Sequence, residues 1–181
     1  MNETSALTPP ISERDQAQGG LNAPLMLVEY GDYQCPYCGA AYPVVKSLQK
    51  ALGKKLCFAF RNFPLTQAHP YAMVAAEAAE AAALQGKFWE MHDFIYEHQD
   101  DLEPDALPAW AERIRLDLKE FGIAIRQGVV TKRIKEDRAS GIRSGVNGTP
   151  CFFINGIRYD GTADYDSLRS VLEEQLTGKT L

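Results

Sequence analysis

Residues 25–30, Leu-Met-Leu-Val-Glu-Tyr, form a near-continuous apolar run between Pro24 and Gly31. Its length and character are those of a strand buried on both faces. Glu29 interrupts the run, and an ionisable group there must find a partner or shift its pKa upward, because burial disfavours a charged carboxylate. From residue 35 to about 52, Tyr42, Val45, Leu48 and Leu52 recur at helical spacing, which predicts a helix stopped by Gly53. Residues 55–63 read as a second strand ending at Pro64. A strand, a crossover helix and another strand imply parallel pairing with a right-handed crossover.

From His69 to about Arg143 the pattern is almost wholly helical. Residues 72–84 are rich in Ala and Glu, with high helix propensity, and Gly86 breaks them. An aromatic-rich helix follows over 88–96. A further helix begins after Pro104 with Trp110, Ile114, Leu118 and Phe121 on one stripe, and another covers about 125–140. Strand character returns at Cys151-Phe152-Phe153-Ile154, Asn155-Gly156 signals a hairpin, and Ile157-Arg158-Tyr159 returns antiparallel. Residues 167–176 form a closing amphipathic helix before Gly178. The pattern therefore predicts an α/β fold in which 21–66 and 144–181 make one domain and 67–143 an inserted all-helical subdomain. Residues 1–20, polar and ending in Gly19-Gly20, read as a flexible arm.

The net charge of −5 and the absence of a polybasic run give no electrostatic reason to expect nucleic acid or an anionic membrane as a partner. The N-terminal residues lack an apolar core of signal-peptide length. The expectation is a cytoplasmic protein as written, or a periplasmic one if a signal peptide has been removed. No separate dimerisation segment precedes Leu25, which points to a monomer.

The candidate chemistry is Cys35-Pro36-Tyr37-Cys38, at the turn from the first strand into the first helix. Residues at i and i+3 share a helix face, so the two sulfurs can approach within bonding distance. The positive end of the helix favours a thiolate at Cys35, making it the attacking sulfur, with Cys38 a buried resolving thiol. Pro36 suits the first helical position. Inert thiols and a zinc half-site are the competing readings; zinc needs two further ligands, for which Cys57 and Cys151 are the candidates. The strands carrying them are expected to flank the Glu29 strand, about 9–10 Å apart at two strand spacings. A disulfide needs Cα atoms within about 7 Å. Cys57 is read as core filler, and Cys151 as either core filler or a modulatory thiol close to the cysteine pair. His69 reads as a structural cap, His92 and His98 carry no assigned role, and Lys132 to Arg143 reads as a solvated helix face.

Four stretches together resemble the DsbA-like thiol-disulfide oxidoreductases of the thioredoxin superfamily. These are Val28-Glu29-Tyr30-Gly31-Asp32-Tyr33-Gln34-Cys35-Pro36-Tyr37-Cys38, Phe60-Arg61-Asn62-Phe63-Pro64-Leu65 with His69-Pro70, Gly86-Lys87-Phe88-Trp89, and Gly148-Thr149-Pro150 before Phe152-Phe153-Ile154-Asn155-Gly156. The resemblance covers nearly everything from Leu21 onward. It implies a thioredoxin-like fold with a helical insert, Cys35 as nucleophile, Cys38 as resolving cysteine and Glu29 as the buried acid that exchanges a proton with Cys38. Thr149-Pro150 would be the cis-proline loop which, with Pro36 and Tyr37, meets an extended or unfolded polypeptide substrate. No metal or cofactor is implied beyond the redox-active disulfide, and glutathione is a candidate electron partner. Pro-Tyr between the cysteines, where the strongly oxidising members have Pro-His, predicts a less oxidising pair. A redox-sensing regulatory module and a glutathione-dependent transferase or isomerase are the alternatives.

Overall fold

The computed structural model describes residues 5–178. Strand β2 (Leu25–Gly31) lies at the centre of a five-stranded sheet of order β1-β3-β2-β4-β5. Helix α1 (Pro36–Leu52) crosses over to β3 (Leu56–Asn62), which pairs parallel with β2. On the other side β4 (Cys151–Ile154) runs antiparallel to β2, and β5 (Ile157–Tyr159) closes the hairpin. Asn155 and Gly156 both take positive φ, 48° and 84°, the backbone a tight two-residue hairpin of this hand requires.

Between β3 and β4 lie α2 (Ala72–Ala83), α3 (Phe88–Glu97), α4 (Leu107–Arg113), α5 (Leu118–Arg126) and α6 (Thr131–Arg143), and α7 (Tyr165–Leu176) closes the chain. The apolar stripe from Trp110 to Phe121 is divided rather than continuous. Arg115 takes a positive φ of 61°, and Asp117 starts α5 by accepting a hydrogen bond from the Glu120 N–H at 3.0 Å. The helix expected over 125–140 is displaced for a similar reason. Gly128 at φ 63° follows the end of α5, and α6 then runs on to Arg143.

Side chains alternate across β2. Leu25 and Leu27 pack under α1, α7 and the insert, while Val28 and Tyr30 pack on the opposite face with Leu7, Phe63 and Val146. None of the described helices is long and apolar enough to cross a membrane.

The reading of 1–20 as a flexible arm is corrected for its described part. Strand β1 (Gln16–Gln18) pairs antiparallel with β3, the Leu7 N–H donates to the Gly156 carbonyl at 2.8 Å, and Leu7 is buried. The physical reason is Arg61, a cation inside a fully buried strand. Its guanidinium donates to both carboxylate oxygens of Asp15, at 2.7 and 3.2 Å, and to the Pro9 and Pro10 carbonyls at 3.0 and 3.3 Å. A buried charge needs such partners, and β1 also covers what would be an open sheet edge. The solvated-face reading of α6 also needs correction at Asp137, which is buried. It accepts from the Asn62 N–H at 3.0 Å and from Arg133 Nε at 3.1 Å.

Candidate functional site

Strand β2 delivers the chain to a loop held by one buried carboxylate. Asp32 accepts from the Gln34 N–H and the Leu65 N–H, each at 2.8 Å, and pairs with His69 Nδ1 at 2.8 Å. His69 therefore fixes the loop rather than capping α2, whose first turn has no side-chain cap. Cys35 follows at the N-cap of α1 in extended backbone (φ −71°, ψ 122°), with its N–H donating to the Asp32 carbonyl at 3.1 Å and Pro36 opening the helix.

The sulfur of Cys35 lies 3.4 Å from the carbonyl oxygen of Thr149, and the Thr149–Pro150 peptide bond is cis. The Cys35 thiol is pulled down to about 5. The largest cause is the hydrogen bond from the Cys38 thiol; contact with Thr149 and the N–H groups of Cys38 and Tyr37 act with it, and burial acts against it. Cys38, fully buried, accepts from the Asp32 N–H at 3.5 Å. Burial, then the bond it gives to Cys35, pushes its thiol well above the ordinary range. The two sulfurs thus differ as a nucleophile and a held proton donor must.

Glu29 lies between Phe60 of β3 and Phe152 of β4 and shares the sheet face of the cysteine pair. Burial first, then the negative charge of Cys35, raises its carboxyl to about 8, where it takes a proton near neutral pH. Pro36 and Tyr37 are exposed beside the cysteines, Tyr37 at 75 %.

Two residues without an expected role also support the site. Gln99, just past α3, donates to the Tyr33 and Cys35 carbonyls. His92 lies buried among Tyr33, Phe60, Phe88, Trp89 and Tyr96, shares a hydrogen bond between its Nδ1 and the Tyr33 hydroxyl at 3.0 Å, and is held neutral by burial and by Lys46, with its pKa at about 3.

Cys151 is not brought to the cysteine pair. It alternates with Phe152 along β4, so its sulfur faces the opposite side of the sheet among Val28, Tyr30 and Phe153. Burial raises its thiol, as it does that of Cys57, which is also buried. The two register with Tyr30 and Met26 on opposite sides of β2, and among the described residues no group of three metal-ligating side chains converges.

A mixed sheet that presents a Cys-x-x-Cys helix start against a cis-proline loop, with a helical insert after the parallel pair, defines a disulfide-exchange class of fold. Comparison with known proteins agrees. The thioredoxin family model matches residues 12–174, and the chain belongs to that family, with the architecture of its DsbA-like members. BdbD from Bacillus subtilis in its oxidised form superposes with a TM-score of 0.85 at 23 % identity, covering 98 % of this chain and 100 % of that one. The thiol-disulfide exchange protein alpha-DsbA2 from Wolbachia pipientis gives 0.79 at 23 % identity, covering 90 % and 88 %. In sequence, the Na(+)/H(+) antiporter NhaA 1 of Salinispora arenicola is 45 % identical over 177 residues, 97 % of this chain and 27 % of that protein. The chain thus spans about a quarter of the length of that relative.

Proposed function

We propose that this protein is a thiol-disulfide oxidoreductase whose Cys35-Cys38 pair exchanges electrons with protein or glutathione disulfides through a mixed disulfide. The observation that carries the reading is the split between the two sulfurs: Cys35 at a helix start with its thiol held at about 5, and Cys38 buried with its proton held tightly. The Cys35 thiolate attacks a substrate disulfide, forming one S–S bond and releasing the other sulfur as a thiolate. Mixed-disulfide formation removes the Cys35 charge that helps to raise Glu29; Glu29, once it has released its own proton, takes that of Cys38, which attacks Cys35, forming the intramolecular disulfide and expelling the second substrate thiolate. The protein is oxidised and the substrate reduced by two electrons; the reverse sequence oxidises a dithiol, so direction follows the partner's reduction potential. No cofactor beyond the cysteine pair enters these steps.

The cis Thr149–Pro150 loop presents the Thr149 backbone beside Cys35, which suits strand-like pairing with an extended polypeptide at low sequence specificity. Exposed Pro36 and Tyr37 supply the adjoining contact. Turnover of a generic protein disulfide tests the reading: activity lost in Cys35→Ser supports it, and activity unchanged in that variant contradicts it.

A second reading rests on the long relative named as a Na(+)/H(+) antiporter. Here the chain is a redox module that acts on such a membrane protein, changing its docking surface near Thr149 when the disulfide forms. A module of this kind would show the Cys35-Cys38 redox transition without turnover of generic disulfides.

A further inference from the structure

Helix α6 and residues 9–15 of the N-terminal segment face one another across a cavity with about 200 Å³ open to the centres of water molecules, room for far more than one water. Buried Arg61 lines it and donates to the Tyr30 hydroxyl at 2.9 Å, which places the cavity on the sheet face away from the cysteine pair. Its charged lining is the guanidinium groups of Arg14, Arg61, Arg133 and Arg143 and the carboxylates of Asp15, Glu136 and Asp137. Each carboxylate is already matched. Asp15 takes Arg61 Nε and Nη2 at 2.7 and 3.2 Å and the Ser12 N–H at 2.8 Å. Asp137 takes Arg133 Nε at 3.1 Å on one oxygen and the Asn62 N–H and side-chain nitrogen at 3.0 and 3.2 Å on the other. Glu136 is shared between Arg14 at 3.4 Å and Lys132 at 3.6 Å.

The groups left over are donors. Arg143 is exposed in the last turn of α6 and makes no hydrogen bond or ion pair among the described residues. Residues 133, 137, 140 and 143 share one helix face, which is why Arg143 lines the same cavity as Arg133. Arg133 commits Nε to Asp137 and Nη1 to the Arg14 carbonyl, which leaves Nη2. The Ser12 hydroxyl accepts from the Arg14 N–H at 3.3 Å and keeps its own hydrogen. In a chain of net charge −5 this is a local surplus of positive charge around a space large enough for a ligand.

We infer that the cavity is a binding site for a phosphate group. Guanidinium groups pair with oxyanions through charge-assisted, frequently bidentate hydrogen bonds. The free donors come from both walls, Ser12 on the N-terminal segment and Arg133 and Arg143 on α6, and donors set around a centre suit the tetrahedral oxygens of phosphate better than the plane of a carboxylate. The group has two sources, free phosphate in solution and the headgroup of an anionic phospholipid. Both can reach the cavity, because the Arg14 and Lys132 side chains at its rim are exposed at 82 % and 85 %. A bound phosphate ties the N-terminal segment to the helical insert. The inference does not rest on the oxidoreductase reading.

The test is isothermal titration of the whole protein with inorganic phosphate at constant ionic strength, beside co-sedimentation with phosphatidylglycerol vesicles and with phosphatidylcholine vesicles. Saturable binding of one phosphate per chain is expected, weakened about tenfold or more in Arg143→Ala, as loss of a charge-assisted pair requires. It should be unchanged in Cys35→Ser and in Lys54→Ala, which removes the same charge at an exposed position outside the cavity. Acetate should bind more weakly than phosphate. Binding to phosphatidylglycerol vesicles alone, with the same dependence on Arg143, supports the site and assigns its phosphate to lipid. Absence of binding in both arms, binding unchanged in Arg143→Ala, equal weakening by Arg143→Ala and Lys54→Ala, or acetate held as tightly as phosphate overturns the inference. If Arg143→Ala does not fold, Ser12→Ala, which removes only an exposed hydroxyl, is judged by the same titration.

Discussion

The Gln99 side-chain nitrogen donates to the carbonyl oxygen of Cys35 at 2.9 Å, and to that of Tyr33 at 2.8 Å. The helical insert thereby clamps the peptide groups that lead into α1. Gly39 makes room for this clamp, since a Cβ at that position would run into the Gln99 amide. Gly39→Ala is expected to displace Gln99 and break both hydrogen bonds. That costs about 1–3 kcal/mol against a helix-propensity gain of about 1 kcal/mol. In a Gln99→Ala background the same substitution should stabilise the protein, so the sign of its effect reverses across the double-mutant cycle. Urea denaturation of the four proteins checks this.

The Cys35 thiol, held at about 5, predicts the pH dependence of its alkylation. The rate with iodoacetamide should rise through about pH 5 and be level at neutrality, whereas the unfolded chain should show a midpoint near the free-thiol value of about 8.5. The sign for stability follows from the lowered folded pKa. The thiolate's contribution to the reduced fold is fully present above the unfolded pKa and is lost as pH falls through about 5.

For Glu29 the sign is opposite. Its folded pKa, raised to about 8, means that its favourable contribution is complete below the unfolded value and is lost as pH rises through about 8. Glu29→Gln should therefore be more stable, relative to the unaltered protein, at pH 7 than at pH 4, by up to about 3 kcal/mol. Denaturation midpoints of both proteins at the two pH values measure the difference. Equal differences at both would show that Glu29 is charged in the folded protein.

Asp15→Ala should leave the Arg61 guanidinium buried without its counter-ion, at a cost of about 3–5 kcal/mol. A loss no larger than that of an exposed ion pair such as Arg14–Glu136 would mean that the N-terminal segment is not packed on the sheet.

The sheet and the cysteine pair were legible in the sequence because their signals are local. A buried apolar run, a helical stripe ending in Gly53, the Asn155-Gly156 turn and two cysteines one helical turn apart each declare themselves within a few residues. Pairs distant in sequence did not: Asp15 with Arg61, Asp32 with His69, and Gln99 with the Cys35 carbonyl have no spacing that announces them. The α4–α5 break was hidden by Ile114 and Leu118, which keep four-residue spacing across a turn made without glycine. For Cys151 a usable signal was present. The two-residue period from Phe152, which shares its face with Glu29, places Cys151 on the far side of the sheet.

The reduction potential of the Cys35-Cys38 pair, obtained by equilibrating the protein in glutathione buffers and following free thiols, tests the central claim most directly. Stabilising the Cys35 thiolate stabilises the reduced form, and a thiol at about 5 lies between those of thioredoxin and the strongest oxidants of the superfamily. The account predicts one two-electron transition between about −270 and −120 mV, abolished in Cys38→Ser. Absence of a two-electron transition would contradict it.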